Sequence, residues 1–214
     1  MIDSIIFDLD GTLWDSTKQI AASWNRTVEK ELGYNPGYSA NGLKPYFGKV
    51  MSDIATGLFP TLSVEKRTAL MNLCALEENE YLLDNPGILY PYLEHTLAKL
   101  SGRYDLFIVS NCQSGYIEAF LEISGLSLYF KDHLCPGDTG RPKAFNIAAI
   151  KSKHQLHAPV YVGDTEGDRS ACLACDIPFV YASYGFGSPK SFIAKIADLS
   201  QLPDTIEHLS QSHI

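Results

Sequence analysis

Five short apolar runs, separated by stretches with helical periodicity, constrain the fold of this chain more than any other feature of its sequence. Their hydrophobic residues are nearly continuous rather than alternating, which is typical of strands covered on both faces. Because helical patterns lie between most of these runs, we expect parallel strands joined by right-handed crossovers. The predicted strands are residues 4–10, 104–111, 132–137, 159–164 and 177–183. The pattern therefore predicts an α/β fold with helices on both faces of a parallel sheet.

The interval between the first and second predicted strands breaks this alternation. Residues 15–84 contain no convincing strand and read as helices separated by turns. Such a stretch is too long for one crossover, and its mean apolarity indicates a packed unit rather than a disordered linker. The turn signal NPG at residues 85–87 marks the return to the sheet. We predict a core made of residues 1–14 and 85–214, with an inserted all-helical subdomain at residues 15–84.

The charge balance restricts the partners of the chain. Its 17 basic and 25 acidic residues give a net charge of -8. This disfavours a nucleic-acid polymer or an anionic membrane surface, because both need a basic binding face. No apolar run approaches the roughly 18 residues of a membrane-spanning helix, and the five scattered cysteines fit a reducing compartment. We therefore expect a cytoplasmic protein, either a monomer or a homodimer.

Two aspartates end the first predicted strand, within the segment IIFDLDGT. Asp8 and Asp10 are two residues apart, so their side chains point to the same face of an extended chain. Adjacent carboxylates repel each other, and one would normally stay protonated unless a cation or a chemical task intervenes. A Mg²⁺ ion would allow both to stay ionised, since it binds through few carboxylates and keeps several waters.

Further polar residues follow other predicted strands, at the sheet edge where open parallel sheets bind ligands. Asp164 after the fourth strand, with Asp168 beyond it, adds carboxylates suited to Mg²⁺. Ser110 and Asn111 after the second strand, and Lys143 before a helix, offer donors suited to a phosphate group. A carboxylate beside a metal and a phosphate can act as a nucleophile, and a second carboxylate can act as general acid and base.

Together, FDLDGT, the SN after the second strand, the isolated lysine before a helix and GDTEGD resemble the four motifs of the haloacid dehalogenase superfamily of phosphatases. The resemblance covers the whole chain. It implies a Rossmann-like core, and residues 15–84 resemble the helical cap of the phosphoglycolate-phosphatase-like branch. The dehalogenases themselves lack the second aspartate of the first motif, so Asp10 argues against dehalogenation.

The resemblance also implies the roles of the site residues. Asp8 would be the nucleophile and Asp10 the general acid and base. Asp8, the backbone carbonyl of Asp10 and Asp164 would hold Mg²⁺, with Asp168 either a further ligand or a residue that orients the site. The expected phosphate-binding residues are Thr12, Ser110, Asn111 and Lys143.

The basic residue of the third motif has two candidates. Many relatives place a lysine directly before a proline, and here Arg141 occupies that position. Lys143 fits a different variant, Lys-x-x-Asn-Ile, and a lysine in the first turn of a helix opposes the helix dipole unless an anion lies nearby. We therefore predict that Lys143 is the functional base. Within the insert, Gly48 and Lys49 are candidates for contact with a polar substrate tail.

The expected activity is Mg²⁺-dependent hydrolysis of a small phosphorylated metabolite through an aspartyl-phosphate. A phosphosugar mutase would share this core and cap. A phosphoacceptor signalling domain would use similar acidic residues, Mg²⁺ and a lysine, but it would have no reason to carry a helical insert of this size. Phosphoglycolate, sugar phosphates and nucleoside monophosphates remain open as substrates.

Overall fold

The computed structural model describes residues 1–211, which form a six-stranded sheet flanked by helices and a separate two-stranded sheet. In chain order the strands are β1 (Ser4–Phe7), β2 (Trp14–Asp15), β3 (Ile88–Leu89), β4 (Asp105–Val109), β5 (Phe130–Leu134), β6 (Pro159–Gly163), β7 (Phe179–Ala182) and β8 (Ala194–Ile196). The α-helices are α1 (Thr17–Leu32), α2 (Ala40–Leu43), α3 (Met51–Leu58), α4 (Val64–Asp84), α5 (Leu93–Ser101), α6 (Tyr116–Ser124), α7 (Pro136–Thr139), α8 (Lys143–Lys153), α9 (Glu166–Ala174) and α10 (Leu202–Gln211). Short 3-10 helices lie at Lys44–Tyr46, Ser127–Tyr129 and Leu199–Gln201.

The larger sheet has the strand order β5-β4-β1-β6-β7-β8, and all its neighbouring strands pair in parallel. The predicted Rossmann-like α/β class is therefore confirmed. Ile5, Ile6 and Phe7 of β1 have no exposed surface, as expected for a central strand covered on both faces. From β1 the chain crosses to β4 on one side, and it later returns to β6 on the other. The carboxyl end of β1 thus lies where the strand order reverses, the usual position for a ligand in such sheets.

The strand predictions for β1, β4, β6 and β7 are confirmed within a few residues at their ends. The prediction of a strand over residues 132–137 is wrong at its carboxyl end, because Pro136 begins α7 there. β8 was missed, since a three-residue strand at the sheet edge has too few residues to show a pattern. The two-residue strands β2 and β3 were missed for the same reason.

Residues 17–84, which we call the helical segment, contain α1 to α4 and no strand. The two long helices α1 and α4 pack against each other through buried side chains that include Val28 and Met71. β2 and β3 pair antiparallel, with Trp14 opposite Leu89, so the two connections to the helical segment run side by side. None of the helices within residues 1–211 has the length and apolarity needed to cross a membrane.

Candidate active site

The loop after β1 brings the first motif to the carboxyl edge of the sheet. The backbone N–H of Asp8 donates to the carbonyl of Val162 at 2.9 Å, so Asp8 still pairs with β6 before the chain turns. Gly11 makes the turn with a φ of +81°, and a Cβ there would collide with the Asp164 carboxylate. Only glycine therefore permits this close approach between the first and last motifs.

Lys143 lies at the centre of the site. It is the first residue of α8, directly after Pro142, and it is 4% exposed. Its ammonium donates to Oδ1 of Asp8 at 2.7 Å and to Oδ1 of Asp168 at 2.5 Å. Burial alone would lower the pKa of Lys143, but the carboxylates of Asp168 and Asp8 raise it well above its usual value. Lys143 is therefore a buried cation that joins the first and last motifs.

Arg141 lies differently. Its guanidinium stacks over the Phe145 ring, 4.8 Å from the centroid, and the residue is exposed. Its backbone N–H donates to Oγ1 of Thr139 at 3.2 Å. Between the two candidates for the third motif, the structure thus brings Lys143, and not Arg141, against the aspartates.

Burial dominates the electrostatics of Asp8, which is 1% exposed. Burial and the neighbouring Asp168 carboxylate raise the pKa of Asp8 to about 6, whereas Lys143 and a hydrogen bond with Ser110 oppose this rise. A carboxylate held in this way carries a charge that the surroundings only partly compensate. A cation placed beside it would complete the compensation.

Three aspartates converge at this point. One carboxylate oxygen from each of Asp8, Asp164 and Asp168 lies within 4.8 Å of the others. Oδ2 of Asp164 accepts from the backbone N–H of Phe186 at 2.6 Å, while Oδ1 is buried and has no hydrogen-bond partner. Burial, followed by the charges of Asp168 and Asp8, raises the pKa of Asp164 well above its usual value. This donor set, all hard oxygen atoms with one unpartnered, fits a small divalent cation such as Mg²⁺.

Asp168 is the most fully engaged of the three aspartates. Its Oδ2 accepts from the backbone N–H of Asp164 at 3.2 Å and from the N–H and hydroxyl of Thr165 at 2.9 and 2.7 Å. Its Oδ1 accepts from Lys143. The Thr165 hydroxyl accepts in return from the backbone N–H of Asp168, which completes a capping box at the start of α9. Through these contacts Asp168 joins Lys143 to the loop before α9.

Asp10 points away from this cluster toward the helical segment. Its Oδ1 accepts from the hydroxyls of Ser16 and Tyr116, each at 2.7 Å. Burial raises the pKa of Asp10 to about 7, with the Asp8 charge adding to the rise and the two hydroxyls opposing it. Asp10 can therefore exchange a proton near neutral pH. Ser16 and Tyr116 were missed from the sequence, because a hydroxyl at the start of a helix carries no sign of its distant partner.

The remaining predicted phosphate-binding residues are placed unevenly. Ser110 is 3% exposed and lies beside Asp8. Thr12 has no exposed surface, and its hydroxyl has no partner. The amide nitrogen of Asn111 donates to the backbone carbonyl of Gly48 at 2.8 Å, so its amide donor contacts the helical segment. The structure thus groups Ser110 and Lys143 around Asp8, while Asn111 joins the sheet to the helical segment.

A cavity of about 30 Å³ lies between the site and the helical segment. Asp10, Asn111 and Tyr116 line it from the sheet side. Gly48 and Lys49, the predicted contacts for a substrate tail, line it from the helical segment. The wall also contains Glu78 of α4 and Gln113, which sequence reasoning missed because both fall within ordinary polar stretches.

A parallel α/β sheet with buried carboxylates and a lysine at its carboxyl edge defines a class of proteins that place an acidic ligand site at the topological switch point. Residues 5–182 match the model of the haloacid dehalogenase-like hydrolase family. The chain belongs to this family, and within it the chain is phosphoglycolate-phosphatase-like.

Curated relatives agree with this assignment, and solved structures share the fold. The phosphoglycolate phosphatase of Aquifex aeolicus is 29% identical over 214 residues, covering 94% of this chain and 96% of the relative. The phosphoglycolate phosphatase of Vibrio parahaemolyticus is 30% identical, covering 89% of this chain and 88% of the relative. A haloacid dehalogenase-like hydrolase from Streptococcus pneumoniae superposes with a TM-score of 0.82 at 21% identity, over 96% and 98% of the two chains. A 2-haloacid dehalogenase from Pseudomonas syringae superposes with a TM-score of 0.66 at 22% identity, over 98% of this chain and 100% of that chain. The solved structures show a shared fold.

Proposed function

We propose that the protein is a Mg²⁺-dependent phosphatase that hydrolyses a small phosphomonoester through an aspartyl-phosphate intermediate. The observation that carries this proposal is the buried contact of Lys143 with both Asp8 and Asp168, beside the unpartnered Oδ1 of Asp164. This arrangement would bring together Asp8 as a nucleophile, Lys143 as a fixed cation for phosphoryl oxygens and an Asp164 oxygen that is free to bind a metal. The relatives that carry the name phosphoglycolate phosphatase support the same class of reaction.

The residues that would hold Mg²⁺ are Asp8, Asp164 and the backbone carbonyl of Asp10, with Asp168 orienting the loop that carries Asp164. When bound, the ion would offset the negative charges of the carboxylates and of the phosphate group. Lys143 and the Ser110 hydroxyl would then bind phosphoryl oxygens that develop charge in the transition state.

The chain's own residues supply the chemical steps. A carboxylate oxygen of Asp8 attacks phosphorus and displaces the leaving oxygen, which gives an aspartyl-phosphate. Asp10 donates its proton to that leaving oxygen. It then takes a proton from the water that hydrolyses the intermediate. The hydroxyls of Ser16 and Tyr116 hold the Asp10 carboxyl in one orientation through both steps.

In this proposal residues 15–84 act as a cap over the site, and residues 1–14 with 85–214 form the catalytic core. The cap would exclude water and favour compact substrates over polymers. The small cavity between Asp10 and the helical segment supports this interpretation.

The proposal is tested by steady phosphate release from a panel of small phosphomonoesters, with enzyme far below substrate concentration. We expect many turnovers with Mg²⁺ and none after EDTA, with activity restored by excess Mg²⁺. A single turnover that leaves stable phosphoprotein would instead indicate a signalling domain. Phosphoryl return to a bisphosphate intermediate would indicate a mutase.

Lys143→Ala should lose at least about 100-fold in kcat/KM, or ~2.7 kcal/mol of transition-state stabilisation. Arg141→Ala is the control and should lose far less, because its guanidinium stacks on Phe145 away from the aspartates. Lys143→Ala also leaves Asp8 and Asp168 buried without their cation, so thermal unfolding of both variants should be measured alongside activity. A larger loss for Arg141→Ala, with both variants folded, would contradict the assignment of Lys143.

A further inference from the structure

Glu78 is a buried acidic residue that the proposed reaction does not use. It lies on α4 and is 2% exposed. Its Oε2 accepts from the indole N–H of Trp24 on α1 at 2.5 Å, and its Oε1 accepts from the amide of Gln113 at 2.8 Å. Gln113 follows β4 on the sheet side, and its amide also donates to Oδ1 of Asn79 at 2.9 Å. Two donors, one on each side of the cavity, therefore fix the Glu78 carboxyl.

Burying this carboxyl is costly, and its hydrogen bonds with Gln113 and Trp24 offset that cost only in part. Burial is the largest cause that raises the pKa of Glu78 to about 8, and the charge of Asp10 adds to the rise. Salt bridges within residues 1–211 do not include Glu78. Replacing buried charged groups with well-packed apolar side chains often leaves the stability of a protein unchanged or raises it. Burial of the Glu78 carboxyl is unfavourable, yet two hydrogen bonds hold it in the wall of the cavity that Asp10 also lines. This placement points to a contact with a ligand.

We propose that Glu78, held by Trp24 and Gln113, determines substrate specificity by hydrogen-bonding a hydroxyl group on the leaving group and by disfavouring a leaving group that ends in a carboxylate. This inference rests on the proposed phosphatase function and names the substrate class for the same site. Ser110 and Lys143 lie around Asp8, whereas Glu78 lines the cavity beyond Asp10, where the departing alcohol would lie.

The charges around the cavity favour a neutral hydroxyl. A hydroxyl group accepts from a protonated carboxyl and donates to an ionised one, so Glu78 binds it in either state. A substrate carboxylate would meet both Asp10 and Glu78, and it is tolerated only if Glu78 keeps its proton. Among residues 1–211, the cation in the cavity wall is Lys49, which is exposed and places its ammonium over the Tyr46 ring, 5.1 Å from the centroid. The wall therefore offers hydrogen bonds but no buried cation.

The size of the cavity limits the leaving group. A water molecule needs about 10–15 Å³ of such volume, and the cavity holds about 30 Å³. A leaving group of two or three carbons fits this space with little movement of the helical segment. A pyranose ring or a nucleoside does not. The expected substrates are thus phosphate monoesters of short diols and polyols.

The test compares two substrates of equal length, 2-hydroxyethyl phosphate and 2-phosphoglycolate, as the ratio of their kcat/KM values. We expect the wild-type enzyme with Mg²⁺, assayed at a pH above about 8 where Glu78 loses its proton, to favour the hydroxyl substrate by at least tenfold. Glu78→Gln keeps the shape and still hydrogen-bonds a hydroxyl, but it carries no charge and its amide N–H can donate to a substrate carboxylate, so the ratio should fall by tenfold or more. Glu77→Gln is the matched control, because Glu77 bonds Lys30 and Thr27 outside the cavity and should leave the ratio unchanged.

The ratio separates specificity from a structural role, since a loosened fold would slow both substrates together. A wild-type preference for 2-phosphoglycolate, or a ratio that Glu78→Gln leaves unchanged, would overturn the proposal. Trp24→Phe removes the donor to Oε2 and provides a second variant, which should also reduce the ratio. p-Nitrophenyl phosphate serves as a generic substrate. If the enzyme hydrolyses p-nitrophenyl phosphate but prefers 2-phosphoglycolate to 2-hydroxyethyl phosphate, only the proposed role of Glu78 is rejected. If it hydrolyses none of these substrates, the proposed phosphatase function is rejected as well.

Discussion

Asp8→Asn should reduce turnover by at least about 10⁴-fold, because loss of a covalent nucleophile removes the whole reaction path rather than one supporting contact. The amide nitrogen and oxygen that replace the carboxylate are poor nucleophiles and weaker metal ligands. The variant should fold normally. Burial already disfavours the charge on Asp8, and the amide oxygen can still accept from Lys143. Steady-state phosphate release at saturating Mg²⁺ measures the effect.

Asp3→Asn is the matched control for this variant. Asp3 lies at the opposite end of β1, where its Oδ2 accepts from the backbone N–H groups of His157 and Ala158. It should affect stability slightly and turnover little. If Asp8→Asn kept a tenth of the wild-type rate, the covalent mechanism would be wrong. Trapped phosphoprotein should likewise form on the wild-type chain and not on Asp8→Asn.

Asp10→Asn should slow both formation and breakdown of the intermediate, by roughly 10²–10⁴-fold, which is the usual effect of losing general acid–base catalysis. The amide cannot donate a proton to the leaving oxygen or accept one from water. Rapid-quench measurements of phosphoprotein formation and decay resolve the two steps. Mg²⁺ affinity must be measured in parallel, because the backbone carbonyl of the same residue is a proposed ligand.

The rates of the two steps should change with pH in opposite directions. With a pKa of about 7 for Asp10, the acid form needed for formation should decline as the pH rises through 7. The base form needed for breakdown should decline as the pH falls through 7. Asp15→Asn is the control, since the Asp15 carboxylate accepts from Thr17 at the start of α1 and does not line the cavity. A near-normal rate and an unchanged pH profile in Asp10→Asn would remove Asp10 from the mechanism.

The sequence predicts the sheet well where strands are central, because β1, β4 and β6 are covered on both faces and read as continuous apolar runs. It predicts β5 poorly, since this edge strand alternates and passes into α7 through a proline. It also places the aspartates, Ser110 and Lys143 on one edge, because parallel strands carry their carboxyl ends there. Those predictions needed only local pattern and topology.

The cavity wall could not be predicted in the same way. Tyr116 reaches Asp10 from 106 residues away, and Trp24 reaches Glu78 across 54 residues. Nothing in the local sequence of either helix indicates that Tyr116 or Trp24 has a distant partner. The function of such residues arises from the packing of α1, α4 and α6 over the sheet, which has no periodic signature. Asn111 shows the same limit, since its neighbour Ser110 faces Asp8 while its own amide turns to Gly48.

The loop after β4 connects the surroundings of Asp8 with the wall of the cavity. Ser110 lies beside the nucleophile, Asn111 bonds Gly48, and Gln113 bonds Glu78, all within four residues of the chain. Because all these contacts arise from one short loop, a displacement of its backbone would move the phosphate-binding side and the cavity wall together. A substitution that shifts this loop should therefore change the affinity for phosphate and the selectivity for the leaving group at once.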